Sequence, residues 1–210
     1  MKGRIITRDY GKQLNHFLKG NRGMLLMAFL LLLGMLIGTL FIKNPNAYTT
    51  NYVSSLFGDF LSARRGQPFL NTLFISFFSV LPFLLALYIS GLCALGMPAC
   101  IFIPAFRGLG LGLTAGYLYA TLSLKGIAFF ALIIIPGAFI SSIVLILAGR
   151  ESLRFSSEMF KILLPSVRPN TLHEEFRRYS IKFLVLVLIL FASSIMDALM
   201  SAAFFGFFSF

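Results

Sequence analysis

The chain has 210 residues, of which 58% are hydrophobic and 12% are charged, and its mean hydropathy is +0.89. Soluble domains carry about 25% charged residues, so the composition excludes an ordinary soluble domain, and several apolar runs of about 18 residues or more indicate a polytopic membrane protein. The formal net charge of +11 resides in a few polar segments. In a membrane protein this distribution reports topology, so we expect no nucleic-acid partner.

Residues 1–23 form a basic segment that contains six Lys and Arg residues. An apolar run long enough to cross a bilayer follows at 24–42. A signal peptide would have a shorter apolar region, of about 7–15 residues, and a small-residue cleavage site. This run instead ends in Lys43, Asn44 and Pro45, so we predict an uncleaved first transmembrane span.

Residues 43–70 form a polar connection that contains apolar side chains at helical spacing. This spacing is typical of a short amphipathic helix that lies on the membrane surface. We favour it over a soluble loop because little other protein is available to cover the apolar face. The apolar residues are Val53, Leu56, Phe57, Phe60 and Leu61.

Residues 71–149 are predicted to contain the second, third and fourth spans. The stretch "LGMP" at 95–98 separates the second span from the third, and "SLKG" at 123–126 predicts a tight turn before the fourth. Each of the three spans contains one proline, which a transmembrane helix tolerates when neighbouring groups bond the freed carbonyls. We therefore predict a kinked, mutually packed bundle. The prolines are Pro82, Pro104 and Pro136.

The last part of the chain has a second basic segment at 150–182, and a fifth span with an aromatic tail at 183–210. Thr171 and Glu174 have the spacing of a capping box, which predicts a helix that leads into this span.

The basic residues are distributed unequally between the two sides of the predicted membrane. With five spans, residues 1–23 and 150–182 share one side and contain 13 of the 18 Lys and Arg residues, whereas 43–70 and 123–126 contain four. The positive-inside rule then places the N-terminus inside and the C-terminus outside. The predicted fold class is all-α: a polytopic helical bundle in the cell membrane, with about five transmembrane helices.

A glycine-rich stretch, "FRGLGLGLTAG", occupies residues 106–116. No strand precedes it, so we reject a phosphate-binding loop. Glycines four residues apart lie on one helical face and let another helix backbone approach closely. We favour packing between spans of one chain, and a homo-oligomer contact is the alternative. The glycines concerned are Gly108, Gly112 and Gly116 here, and Gly34 and Gly38 in the first span.

Arg107 is the remaining basic residue and lies inside the third span. A charge at the bilayer centre costs at least about 2.5–3.5 kcal/mol. Asp197 is the only acidic residue within a predicted span. We predict that Arg107 and Asp197 lie within reach of each other or of a shared polar cavity. The alternative is that each extends independently toward a different membrane face.

The sequence has no pattern that indicates a catalytic, cofactor-binding or metal site. Cys93 and Cys100 do not form a CxxC motif, and His16 and His173 lie in different polar segments. HExxH, Walker and GxSxG motifs are absent from the sequence, as is a pair of intramembrane aspartates. We therefore predict that the protein is not an enzyme and uses no cofactor.

The region 69–137 resembles the stage II sporulation protein M family in the order and spacing of short motifs. The resemblance also extends to the overall length, the short basic N-terminus and the five spans. The residues that carry it are Asn71, the break at Leu95, Gly96 and Pro98, Arg107 with Gly108, Leu111 with Gly112, Gly116, Lys125 with Gly126, and Pro136.

This resemblance implies a membrane scaffold that acts in engulfment during endospore formation. Such a scaffold would anchor a peptidoglycan-degrading complex, with the stage II sporulation proteins D and P as its partners. Because wall hydrolases work outside the cytoplasm, we expect contacts at 43–70, at 123–126 and at the aromatic tail. The candidate contact residues are Leu56, Phe57, Phe60 and Leu61.

Two other interpretations remain open. A transporter or channel subunit would use kinked helices and the intramembrane Arg107 and Asp197, and its segment 150–182 could dock an ATPase. A membrane-shaping protein would use its basic segments to attract anionic lipids in the bilayer.

Overall fold

The computed structural model describes residues 22–43, 69–162 and 172–204. No strand occurs within these ranges, which confirms the predicted all-α class. The predicted surface helix within 43–70 and the aromatic tail lie outside the described residues. The elements are α1 (Arg22–Lys43), α2 (Phe69–Leu92), α3 (Met97–Phe129), a π-helical segment (Phe130–Ile134), α4 (Ile135–Ile162) and α5 (Leu172–Phe204).

Four helical stretches of the described chain are long and apolar enough to cross a membrane. They are Arg22–Ile42, Phe69–Leu92, Met97–Lys161 and His173–Ala203. Because a crossing needs about 20 apolar residues, the 65-residue third stretch is long enough for more than one crossing. The polytopic bundle is therefore confirmed, while five crossings and the orientation of the termini stay predictions.

The chain reverses direction inside α3, at Ser123. This residue has φ 51° and ψ −129°, a positive φ that residues other than glycine rarely adopt. The chain after the reversal returns along α3, since a Cβ atom at Gly126 would overlap the carbonyl oxygen of Leu118. Leu118 also packs in one buried cluster with Phe129 and neighbouring residues of the π-helical segment. The reversal lies in the tetrapeptide for which the sequence predicts a tight turn.

The π-helical segment has a physical cause in Pro136, which has no backbone N–H. Pro136 therefore cannot bond to the carbonyl of Leu132, four residues earlier. The backbone N–H of Ile135 bonds instead to the carbonyl of Phe130, five residues earlier. This local change of register lets the helix continue past the proline into α4.

The bundle has two distinct ends. The chain reverses between α2 and α3 at residues 93–96 and again at Ser123, and α5 runs antiparallel to both α2 and α4. We call one end the Ser123 end and the other the basic end. The Ser123 end also holds Phe69 and Phe204, and the basic end holds Arg22 and the turn at 93–96.

At the basic end, α4 and α5 continue well beyond their apolar runs. Helix α4 ends at Ile162 and α5 begins at Leu172, so most of the polar segment 150–182 is helical. An ion pair holds the two helices together, with Lys182 Nζ at 2.6 Å from Glu151 Oε2. Hydropathy alone underestimates these helices because it detects only their apolar parts.

Aromatic packing at the basic end joins α2, α4 and α5. The Tyr179 ring stacks on Tyr88 and Phe155, with centroid distances of 5.3 and 4.5 Å. The Tyr179 hydroxyl donates a hydrogen bond to the carbonyl of Tyr88 at 2.9 Å, and the buried Ser152 hydroxyl donates to the carbonyl of Leu87 at 2.8 Å. These polar groups are satisfied within the core, so this end of the bundle is tightly packed.

Candidate functional site

The glycines that the sequence singles out form the contact between α1 and α3. A Cβ atom at Gly34 would overlap the carbonyl oxygen of Ala105, and one at Gly112 would overlap the carbonyl oxygen of Met35. The two backbones therefore approach as closely as small residues permit. The glycines pack within one chain, and a contact between copies stays a prediction. Gly38, Gly108 and Gly116 also face the opposite helix.

A side-chain hydrogen bond crosses this glycine contact. The Thr39 hydroxyl donates to the carbonyl of Met35 in its own helix at 2.9 Å and shares the proton with the carbonyl of Gly112 at 3.2 Å. Such bonds between transmembrane helices are worth about 0.6 kcal/mol on average. The contact between α1 and α3 thus rests mainly on backbone proximity.

A polar cavity lies between α2, α3, α4 and α5 and has a volume of about 180 Å³. Arg107 and Asp197 both line it, together with six hydroxyl side chains from the four helices. We call this space the polar cavity. The hydroxyl residues are Ser76, Ser79, Thr114, Ser141, Ser193 and Ser194.

Each of the six hydroxyl groups donates its proton to another group of the protein. Ser76 donates to the Oδ2 atom of Asp197. The other five donate to backbone carbonyls at 2.9–3.1 Å: Ser79 to Ser76, Thr114 to Gly110, Ser141 to Ala138, Ser193 to Gly137 and Ser194 to Leu190. A hydroxyl has one donor and two acceptor lone pairs. The hydroxyls therefore present acceptors to the cavity.

Arg107 is held between the polar cavity and an aromatic ring. Its Cζ atom lies 5.9 Å from the centroid of the Phe83 ring, a distance at which the ring attracts a cation. Its Nε atom is buried and has no hydrogen-bond partner among the described residues. The guanidinium is thus only partly satisfied by the surrounding protein.

Asp197 is 8% exposed and lies where α5 faces α4. A Cβ atom at Gly137 would collide with the side chain of Asp197, so the glycine leaves the room that the aspartate occupies. Arg107 and Asp197 line the same cavity, where opposite charges attract each other more strongly than in water. The structure therefore places both residues on one cavity, and a functional role for the pair stays a prediction.

The polar cavity combines one cation, one anion and many acceptor oxygens, so it is suited to bind hydrogen-bond donors. It has no arrangement typical of a metal centre. Within the described helices, no group of three or more His, Cys, Asp or Glu side chains could hold a metal ion. Cys93 is exposed at the basic end, Cys100 is buried, and both are free thiols.

The six hydroxyl residues of the polar cavity were not predicted from the sequence. A signal was present, because Ser76, Ser141 and Ser194 interrupt three separate apolar runs. Spacing within one helix cannot show that serines of different helices face the same point.

A charged cleft of about 220 Å³ between α4 and α5 at the basic end is likewise absent from the sequence-based predictions. The signal was the helical spacing of Glu151, Arg154 and Glu158 along α4. Arg154 Nε lies 3.2 Å from Glu158 Oε1 in this cleft.

The candidate contact residues Leu56, Phe57, Phe60 and Leu61 lie outside the described residues. The turn at 123–126 is described, and Leu124 in this turn is 79% exposed. Leu95, in the turn at the opposite end of the bundle, is 82% exposed. The two turns therefore present similar apolar side chains at opposite ends.

Comparison with known families identifies the chain. The family model described as Stage II sporulation protein M matches residues 27–202, which include most of each described helix. Searches of curated proteins and of solved structures give no match. The matched family is not a known enzyme family. The chain therefore belongs to the stage II sporulation protein M family and is a multi-pass cell membrane protein related to sporulation.

Proposed function

We propose that the protein is a non-enzymatic scaffold that anchors a peptidoglycan-degrading complex during engulfment. Its proposed partners are the stage II sporulation proteins D and P. The observation that carries the proposal is the family match over residues 27–202.

The arrangement of the helix ends is compatible with this role. The connection at 44–68 joins the end of α1 to the start of α2, and the tail at 205–210 follows α5. Both are attached at the Ser123 end, which also carries the exposed Leu124. The helix ends to which these two segments are attached therefore lie at the same end as Leu124, which supports the proposal of one shared contact side.

Affinity purification from detergent-solubilised native membranes tests the scaffold role. Samples are taken during growth and during starvation, and the co-purified proteins are identified. We expect wall hydrolases to be recovered only from starved cells. Recovery of no wall hydrolase at any stage would contradict the proposal.

Two matched leucine substitutions locate the contact. Leu124→Gln is expected to reduce hydrolase recovery several-fold, whereas Leu95→Gln, at the opposite end, is expected to leave it unchanged. Both side chains are largely exposed, so neither change removes a buried contact. Equal recovery with both variants would contradict a contact at the turn. Serine substitutions of Leu56, Phe57, Phe60 and Leu61 test the connection at 44–68 in the same assay.

The polar cavity favours a second candidate function, a transporter or channel subunit. Intramembrane charged residues that face a cavity commonly mark a path for ions or solutes. In this case the purification would recover an ATPase subunit instead of hydrolases. Arg107→Gln and Asp197→Asn would then abolish transport while the subunit still co-purifies.

A further inference from the structure

The polar cavity has balanced charge and an excess of acceptor groups. Arg107 contributes one positive charge and Asp197 one negative charge, and no other charged side chain of the described helices lines the cavity. Six hydroxyl oxygens and the Asp197 carboxylate present acceptor lone pairs there, because five hydroxyl protons are donated to backbone carbonyls and that of Ser76 to Asp197. An additional ion would leave a net charge in a low-dielectric region, which is costly. The complementary ligand is therefore uncharged and rich in donors.

The cavity is large enough for several molecules of such a ligand. A water molecule needs about 10–15 Å³ of comparable volume and two to four polar partners, and the cavity measures about 180 Å³. Water would also satisfy the buried guanidinium of Arg107. By contrast, the groove beside α1 that contains Ser142 is lined almost entirely by apolar side chains.

The packing at the two ends of the bundle indicates from which side a ligand would enter. Ser76 lies about two helical turns after the start of α2 at Phe69, and Asp197 lies about two turns before the end of α5 at Phe204. At 1.5 Å per residue, both are about 10 Å from the Ser123 end. On α3, however, Arg107 lies ten residues after Met97 at the basic end and 16 residues before Ser123, so distance alone favours neither end. The basic end is closed by the packing of Tyr179 against α2 and α4.

We propose that the polar cavity is a water-filled binding site within the bilayer. It receives small uncharged hydrogen-bond donors, such as water and short polyols, from the side of the membrane at which Ser123 lies. This inference does not depend on the scaffold role, because a scaffold and a transport subunit could each contain such a site.

Two neighbouring serines of α4 provide a matched test. Ser141 lines the polar cavity, whereas Ser142 lines the apolar groove beside α1. Each is replaced by cysteine in a Cys93→Ser background, and the rate of reaction with uncharged 2-hydroxyethyl methanethiosulfonate is measured in native membrane vesicles. The reactive species is the thiolate, which forms readily in water and poorly in apolar surroundings.

Ser141→Cys is expected to react at least about tenfold faster than Ser142→Cys, because only the first thiol is hydrated. The parent protein reports the background from the buried Cys100. Equal rates, or no reaction of Ser141→Cys, would overturn the proposal. If Ser141→Cys does not fold, Ser193→Cys replaces it, since Ser193 lines the same cavity.

The charge balance is tested in the Ser141→Cys protein with a cationic and an uncharged methanethiosulfonate. Asp197→Asn leaves the charge of Arg107 uncompensated, so the ratio of cationic to uncharged rates is expected to fall about tenfold. Arg107→Gln is expected to raise the same ratio. A substitution that changes the access of both reagents to the thiol alters both rates equally, so it leaves the ratio of the two rates unchanged. An unchanged ratio in both variants would show that these charges do not face the cavity.

The side of entry is tested with a membrane-impermeant, uncharged methanethiosulfonate that carries a sugar group, on vesicles of each orientation. Leu124→Cys reports the Ser123 end, and the native, exposed Cys93 reports the basic end. Ser141→Cys is expected to react in the orientation in which Leu124→Cys reacts. Reaction in the orientation that exposes Cys93 would overturn the proposed entry from the Ser123 end.

Discussion

Small residues line both the contact between α1 and α3 and the polar cavity. They allow close backbone contact in the first region and leave an open space in the second. At the α1–α3 contact, the carbonyl oxygen of Met35 occupies the place that a Cβ atom at Gly112 would need. At the polar cavity, serines and Gly137 leave a space of about 180 Å³. A small residue is therefore not sufficient for close helix packing. The result depends on whether the backbone of a neighbouring helix or a polar side chain lies opposite it.

The two regions differ in what fills the space beside the small residues. Backbone atoms of the partner helix fill it at the α1–α3 contact, so dispersion contacts accumulate. At the polar cavity, Arg107 and Asp197 must retain polar surroundings, because an unsatisfied buried charge is costly. Close packing of apolar groups around them would remove those surroundings.

The largest expected effect comes from a methyl group added at the α1–α3 contact. Gly112→Ala places a Cβ atom against the backbone of Met35, and such overpacking is expected to reduce the free energy of unfolding by about 1–3 kcal/mol. The measurement is thermal or denaturant unfolding in detergent micelles. Gly110→Ala is the control, since a Cβ atom there has no neighbour within 4 Å. Equal losses in both variants would contradict the close contact.

A comparable effect is expected from single substitutions at the polar cavity, where a double-mutant cycle measures how far the two charges depend on each other. Arg107→Gln and Asp197→Asn are each expected to reduce the free energy of unfolding by about 1–3 kcal/mol, because each removes the attraction between the two opposite charges. The double variant is expected to lose less than the sum, with a coupling of about 0.5–3 kcal/mol.

The control cycle uses the exposed ion pair of Arg154 and Glu158 on α4. Its coupling is expected to be at most about 0.5 kcal/mol, as for other solvent-screened pairs four residues apart in a helix. Strict additivity at Arg107 and Asp197 would show that the two charges act independently.

The smallest expected effect comes from the hydrogen bond across the glycine contact. Thr39→Val removes the hydroxyl that reaches the carbonyl of Gly112 and is expected to cost about 0.6 kcal/mol of stability. Thr121→Val is the matched control, because the Thr121 hydroxyl bonds only within its own helix, to the carbonyl of Tyr117 at 2.8 Å. A larger loss for Thr121→Val would argue that the bond to Gly112 contributes nothing.

Several features of the fold could be predicted from local patterns. Apolar length predicted the helices, and "SLKG" predicted the reversal that the structure has at Ser123. The ends of α4 and α5 could not be predicted from hydropathy. They depend on ion pairs and aromatic packing between the two helices, such as Glu151 with Lys182.

The candidate site was only partly visible in the sequence. Arg107 and Asp197 stand out because single charges in apolar runs are rare. The serines do not, since a transmembrane serine that bonds to its own helix is common. Their significance depends on serines of other helices that lie at the same depth.

By itself, the sequence determined that the chain is helical and membrane-embedded, because a bilayer requires each backbone group to be bonded within its own segment. It also determined which helix faces carry glycines and which apolar runs contain the two intramembrane charges. Only the tertiary structure decided that Gly112 meets Met35 and that Arg107 shares a cavity with Asp197. The physical reason is that contacts between helices depend on their relative rotation and depth, which no pattern within a single helix specifies.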